Sequence, residues 1–367
     1  MRKALFVSFE NSLSPAMGGQ QVCTRELHKL LERAGYELTD IPVCNRLSIP
    51  QRLINRIRPL AYPERWPAET KTRIAIEAEK KKVSTIFFNL IDFLPLSQLI
   101  RPLVDPKVKM VMLSHGLGSA DAVHINNIAK TMPEIIKKCP IYQAQELLEK
   151  ESRLLPTFDF VISISEVEAE LCTWLGAQGS SWVPRVVLPG SLPWSPVEGR
   201  LGIVGTLDHP PSMEGIVRIS QFLQTKRHEQ LRVRVVSQSR WHGHWLERKF
   251  PWVEFLGPLN EAELEKEASS WCAFLNPIFC FARGCSTKLS TGLQWGLPCI
   301  TTASGLRGYD LPSEAVVLAD GPEQFAEKVL EYSSRVNAKI AKERMEKVRN
   351  RFPDWSAVSR KMKELLP

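Results

Sequence analysis

One rhythm constrains this chain more than any other feature: apolar runs of strand length alternate with segments whose apolar residues recur at helical spacing. Residues 4–9 read as a buried strand, the glycine turn Met17-Gly18-Gly19-Gln20 follows, and residues 22–34 carry the helical period. Gly35 stops that helix and residues 37–43 form the next strand. The unit recurs at 83–89, at 108–114 ahead of His115-Gly116, and at 160–165 ahead of a helix over 166–175. Strands that are apolar throughout, with helices between them, belong to a parallel sheet covered on both faces.

A proline-rich stretch, with prolines at 184, 189, 193 and 196, interrupts the rhythm and reads as a linker. Beyond it the pattern restarts, with strands at 201–205, 231–237, 253–255, 272–276 and 298–302 and helices at 213–223, 261–269 and 288–295. Two α/β halves are expected, and 367 residues suffice for two domains of about 150 each. The apolar fraction of 44% and charged fraction of 24% exclude a disordered or collagen-like chain. Eight cysteines occur singly, without a CxxC pair, which is the usage of a reducing compartment rather than of a disulfide scaffold. The first apolar run is shorter than the ~7–15-residue core of a signal peptide, and Glu10 ends it. No run approaches the ~20 apolar residues that span a bilayer. A cytoplasmic protein is expected, free or peripheral on the inner face of a membrane.

In open α/β sheets ligands bind beyond the carboxyl ends of strands, where glycine turns and helix N-termini offer backbone N–H groups to anions. Gly18-Gly19 occupies such a place after the first strand. It does not complete GxGxxG, so a tight turn and a phosphate contact suit it equally. His115 follows a strand and precedes a glycine, which makes it the best placed of the seven histidines for a site between the halves. His242-Gly243-His244 lacks acidic or cysteine companions, so no metal site is expected there. Gly284-Cys285-Ser286-Thr287-Lys288 opens a helix with small residues, two hydroxyls and a cation. Those groups together suit a diphosphate, and a capping loop with a solvated lysine is the alternative.

Several segments taken in order resemble the GT-B glycosyltransferases of the family 4 type. They are GGQQVCTRELHKLLERAGYEL after the first strand, FDFVISISEVEAELCTWLG, LGIVGTLDHPPSMEGIVRISQFL, VEFLGPL and TKLSTGLQWGLPCITTASGLRGYDL. The resemblance implies an α/β GT-B fold, with two Rossmann-like domains facing each other across a cleft and a C-terminal helix crossing back to the N-terminal domain. Residues 1–190 would form the acceptor-side domain, 198–352 the nucleotide-sugar domain and 353–367 the returning helix. It further implies a retaining, metal-independent glycosyltransferase of hexosyl or related groups, in polysaccharide or glycolipid biosynthesis, with a nucleotide-diphosphate sugar as donor substrate and no other cofactor. Carried over residue by residue, His115 would hydrogen-bond the sugar, and Lys288 would neutralise the leaving diphosphate. Gly18, Gly19, Gly205, Gly284, Ser286 and Thr287 would approach the donor, with Phe255 and Leu256 beside its base. The family places two glutamates eight positions apart; Arg283 and Thr291 stand there in this chain. That departure keeps open a second reading, a catalytically divergent or inactive GT-B-like binding or scaffold protein.

The formal net charge of +8 is concentrated in two segments. Residues 335–364 hold ten Lys and Arg against four acids, the composition of a solvated helix face. Residues 45–66 hold five arginines and one acid, and Arg52, Arg56 and Arg58 beside Leu53, Ile54 and Ile57 suit an acceptor or membrane patch, with a basic surface helix whose apolar face lies in the core as the alternative. The two segments account for the whole surplus, and no aromatic-interleaved basic motif accompanies it, so no nucleic-acid partner is expected. The expected partners are a nucleotide sugar, a glycan or lipid-linked acceptor, and a membrane surface.

Overall fold

The computed structural model describes residues 1–15, 18–44, 66, 68–135, 144–188, 190–226, 230–281 and 283–366. Its framework is two six-stranded, all-parallel sheets. The first contains β1 (Arg2–Phe9), β2 (Tyr36–Val43), β3 (Thr85–Asn89), β4 (Lys109–Ser114), β5 (Phe160–Ser163) and β6 (Ser180–Trp182), in the order β2-β1-β3-β4-β5-β6. The second contains β7 (Arg200–Val204), β8 (Arg232–Val236), β9 (Val253–Gly257), β10 (Ala273–Asn276), β11 (Cys299–Thr301) and β12 (Val317–Leu318), in the order β12-β11-β10-β7-β8-β9. The expected strands therefore form, with ends moved by a residue or two.

The continuous apolar runs have a direct cause. Side chains alternate across a strand, and each sheet is covered twice. Leu5, Val7, Ile86, Phe88, Met110 and Met112 fill one face of the first sheet, while Ala4, Phe6, Phe87, Val111 and Leu113 fill the other. In the second sheet Leu201, Ile203, Val233, Val235 and Leu275 face one core, and Val236, Phe274 and Cys299 face the other. Gly202 of β7 has no side chain because the Trp271 ring lies where one would be, 2.0 Å from an ideal Cβ.

The strand orders create the crevices. In each sheet the chain reverses direction of growth beside its first strand, between β1 and β3 and between β7 and β10. Loops at the carboxyl ends of those strands diverge there and leave room for a ligand. The helix α1 (Gly19–Arg33) starts at the first crevice.

The chain crosses between the sheets twice, and the crossings are tied together by Val187 N–H donating to the Pro353 carbonyl at 3.0 Å. After the second crossing a helix over Trp355–Leu365, capped by Asp354 on the Ala357 N–H, returns to the first sheet. It buries Val358 and Met362 against Cys23, Leu27 and Leu31 of α1, and Lys29 lies 4.4 Å over the Trp355 ring. Among the described residues no helix is long and apolar enough to cross a membrane. Met362 is fully enclosed in this contact, so Met362→Ala is expected to cost about 2–5 kcal/mol of unfolding free energy, read by urea denaturation.

Candidate functional site

The crevice of the second sheet is built around one lysine. The helix over Thr287–Gln294 places Lys288 in its first turn, and its side chain runs across Gly205, where an added Cβ would lie 2.2 Å from Lys288 Cε. Gly205 also has φ +143°, so this turn after β7 requires glycine on both counts. Lys288 Nζ donates to Ser212 Oγ, and the same oxygen lies 3.2 Å from His209 Nδ1. Because the ammonium can only donate, the Ser212 hydroxyl hydrogen is available for His209 Nδ1, which leaves the proton of neutral His209 on Nε2. Burial pushes Lys288 down to about 8. Burial, with Lys288 and Arg307 nearby, pushes His209 down to about 3. Val204, Gly205, Thr206, Ser212, Asn276 and Lys288 line the small cavity at this point.

The loop ahead of Lys288 is held in place by its own polar groups. Ser286 Oγ donates to Asn276 Oδ1 at 2.8 Å, and Asn276 Nδ2 donates to Thr301 Oγ1 at 2.9 Å. The Tyr309 hydroxyl donates to the Ser286 carbonyl and accepts from the Ser290 N–H. Thr287 and Thr291 lie one turn apart on the helix, and Thr287 Oγ1 is 3.2 Å from where a Cβ on Gly19 would stand. Gly19 of the first domain and Thr287 of the second thus face each other directly. Phe255 and Leu256 are on β9, an edge strand separated from β7 by β8, and both are half-buried.

On the first domain, His115 Nε2 lies 2.9 Å from Asn89 Oδ1, and Asn89 Nδ2 donates to Thr24 Oγ1 at 2.9 Å. That chain orients the Asn89 oxygen toward the histidine, so Nε2 carries the proton and Nδ1 keeps its lone pair. His115 is 7% exposed, and burial, reinforced by Arg283 and Arg185, pushes it down to about 3. It is neutral at physiological pH.

Between the two crevices the domains touch through a polar seam absent from the sequence reading. Glu168 Oε1 accepts from the Leu117 N–H at 3.1 Å and from the Gly284 N–H at 2.9 Å, so one oxygen joins both domains. Glu166 Oε2 accepts from the Gly308 N–H at 2.8 Å. Arg283, expected at the donor, forms an ion pair with Asp92 at 3.0 Å and has its backbone N–H on Asp121. Arg307 donates to the carbonyls of Gly284, Cys280 and Ser304. Gly116 and Gly284 both have positive φ, and a Cβ on Gly116 would lie 2.4 Å from the Gly284 nitrogen. Arg52, Arg56 and Arg58 lie outside the described residues.

Residues 198–335 match the family model described as glycosyl transferases group 1. A search of curated proteins finds no significant match. Among solved structures the chain is similar to sucrose-phosphate synthase from Thermosynechococcus elongatus, at 18% identity and a TM-score of 0.61, over 100% of this chain and 98% of that one. It is similar to the apo form of the lipopolysaccharide outer core galactosyltransferase WaaB, at 12% identity and a TM-score of 0.61, over 100% and 99%. A mutant of S. aureus TarM in complex with fondaparinux, alpha-GlcNAc-glycerol and UDP is 11% identical with a TM-score of 0.55, over 81% of this chain and 58% of that one. At these identities the likeness is one of fold, and that fold is GT-B.

The lowered His115 value carries a sign. Unfolded histidine binds its proton below about 6.5 while the buried His115 does not until about 3, so this residue adds stability that is full above about 6.5 and declines as pH falls toward 3. His115→Asn is therefore expected to flatten the fall of unfolding free energy between pH 6 and 4 by up to about 1.4 kcal/mol per pH unit, measured by urea denaturation across that range.

Proposed function

We propose that this chain, a GT-B protein whose residues 198–335 form a group 1 glycosyltransferase domain, moves a sugar from a nucleotide-diphosphate donor to a glycan or lipid-linked acceptor, with retention of configuration. The observation that carries the reading is the placement of Lys288: an ammonium at a helix start, at the crevice between β7 and β10, held over a glycine by Ser212. Negative charge develops on the diphosphate as the bond to the sugar breaks. A fixed cation and a helix N-terminus aimed at that charge lower the barrier.

The other residues take roles that their geometry permits. His115 Nδ1 can accept from a hydroxyl of the sugar, because the neutral tautomer leaves its lone pair available. Gly18 and Gly19 let the backbone approach the donor across from Thr287. Ser286 is committed to Asn276 and acts by shaping the loop. The acceptor hydroxyl attacks the sugar on the face the diphosphate leaves, and its proton passes to the departing phosphate oxygen, so no side-chain base is needed. Charge on the diphosphate is met by protein groups rather than by an obligatory metal in this reading. UDP in the TarM complex supports a nucleoside diphosphate as the ligand class.

Arg283 and Thr291 favour a second reading in one respect: the arginine is paired across the domains with Asp92 and does not face Lys288. A divergent binding or scaffold protein of GT-B form would retain this seam without turnover. Incubation with UDP-, GDP- and ADP-sugars, followed by release of the nucleoside diphosphate, separates the two; a nucleotide-induced rise in thermal midpoint without release in any of them supports the binding protein.

Lys288→Ala is expected to lower transfer turnover by about 10²–10³-fold through loss of leaving-group stabilisation, measured as initial rates at saturating donor. Because Lys288 is held near 8, its cation is present below that pH and lost above it. Binding of a nucleoside diphosphate should weaken as pH rises through about 8 in the wild type, and titration calorimetry should find that dependence absent in Lys288→Met.

A further inference from the structure

Two thiols from different domains meet beside the loop that leads into Lys288. Cys23 lies on α1, one turn beyond Gly19, and is 3% exposed. Cys285 follows Gly284, and its Cβ would be 2.7 Å from a Cβ on Gly308, which confines it from the opposite side. Both pack in the cluster formed by Leu27, Ile164 and Val183, and one residue links their surroundings: the Arg185 side chain reaches Cys23, while its backbone N–H donates at 2.9 Å to the carbonyl of Gly308, the glycine against Cys285. Arg185, itself 3% exposed, donates from Nη1 to Cys23 Sγ at 2.6 Å and pairs through Nη2 with Glu26 at 2.9 Å. Its Nε has no hydrogen-bond partner among the described residues.

This is the arrangement of an attacking and a resolving thiol. A guanidinium beside Cys23 favours its thiolate, and the second thiol packs in the same cluster. The neighbouring Cys285 thiol and Arg185 hold Cys23 below the ordinary thiol range, whereas the neighbouring Cys23 and burial hold Cys285 above it. Other cysteines differ: Cys172 and Cys272 each lie within one domain, and burial pushes them up to about 12 and about 11.

We propose that Cys23 and Cys285 form a redox-sensitive pair whose oxidation to a disulfide ties the two domains together at the start of the Thr287–Gln294 helix. With a peroxide as oxidant, the Cys23 thiolate attacks one peroxide oxygen and the O–O bond breaks. Cys23 becomes a sulfenic acid, and the departing hydroxide takes up a proton to leave as water. The Cys285 sulfur then attacks the Cys23 sulfur; the S–S bond forms, the S–O bond breaks, and a second water leaves with the Cys285 thiol proton. Two thiols lose two electrons in total and one hydrogen peroxide becomes two waters. A dithiol reductant reverses the bond by exchange. The consequence for turnover rests on the transferase reading above, because a bond across the domains would hinder exchange of donor and product through the cleft; formation of the bond does not.

The test treats the full-length protein with hydrogen peroxide, quenches it and digests it without reduction. The expected result is a peptide pair joined between Cys23 and Cys285, a fall from eight to six titratable thiols in the denatured protein, and return to eight with dithiothreitol. Transfer activity should fall about tenfold or more on oxidation and recover on reduction, while Cys23→Ala loses that response and forms no cross-link. Unlinked peptides, or linkage of either cysteine to another one, overturn the pair. A cross-link with unchanged turnover overturns control of transfer by the bond. A cross-link in a protein that transfers no sugar even when reduced counts against the transferase reading and leaves the pair standing.

Discussion

Oε1 of Glu168 accepts hydrogen bonds from two peptide N–H groups that belong to different domains, and the site between those domains takes its shape from that oxygen. A carboxylate buried to 3% exposure is costly unless both oxygens accept hydrogen bonds. Here the Leu117 and Gly284 N–H groups donate to Oε1 and the Ser165 hydroxyl to Oε2, and the opposing effect of burial still holds the carboxyl above its ordinary range. The group is therefore satisfied only when the loop at Gly284 is docked on the turn at Leu117. Domain closure and loop placement are one event for this carboxylate.

The docking distance explains why glycines recur at the seam. Gly116 and Gly284 lie so close that a Cβ on either would meet the backbone of the other's turn, at 2.4 Å and 2.5 Å. Gly308 stands 2.3 Å by the same measure from the Ile164 carbonyl. Three residues with positive φ thus carry the backbone into contacts that no L side chain permits. Arg307 then fixes the loop from behind through three carbonyls. The positions of Ser286, Thr287 and Lys288 follow from these backbone contacts together with the Ser286–Asn276 and Lys288–Ser212 hydrogen bonds.

The sheets were legible because their strands are buried on both faces, which writes the strand directly into the apolar runs at 83–89 and 108–114. The helices over Ala144–Leu154 and Arg240–Lys249 were less so: charged residues cover much of each, and their apolar positions are few. Gly18, Gly19, His115 and Lys288 were legible as site candidates because chain position alone puts them at strand ends or helix starts. The seam was not. Ser165 and Glu168 have the spacing of a helix cap, and Ser165 Oγ does accept from the Glu168 N–H. That local function conceals the carboxylate's long-range partners, 51 and 116 residues away in sequence. Ser212, in the first turn of the helix over Pro210–Leu223, and His209 just ahead of it were hidden as well, since nothing local marks either as a neighbour of Lys288, 76 residues beyond Ser212.

Charge at the seam bears on how a diphosphate would be met. Arg283 and Arg307 are committed to Asp92 and to backbone carbonyls, and Arg185 to Glu26 and Cys23. Arg283 pairs across the domains, while the Arg307 and Arg185 guanidinium groups brace segments of their own domain. At the crevice of the second sheet the nearby basic groups are Lys288 and His209, coupled through one serine hydroxyl. Burial holds His209 neutral and the Lys288 ammonium adds to that effect, since two like charges in a buried place are costly. The crevice of the free protein therefore carries one cation, that of Lys288, and the neutral histidine beside it adds a hydrogen-bonding group in place of a second buried charge.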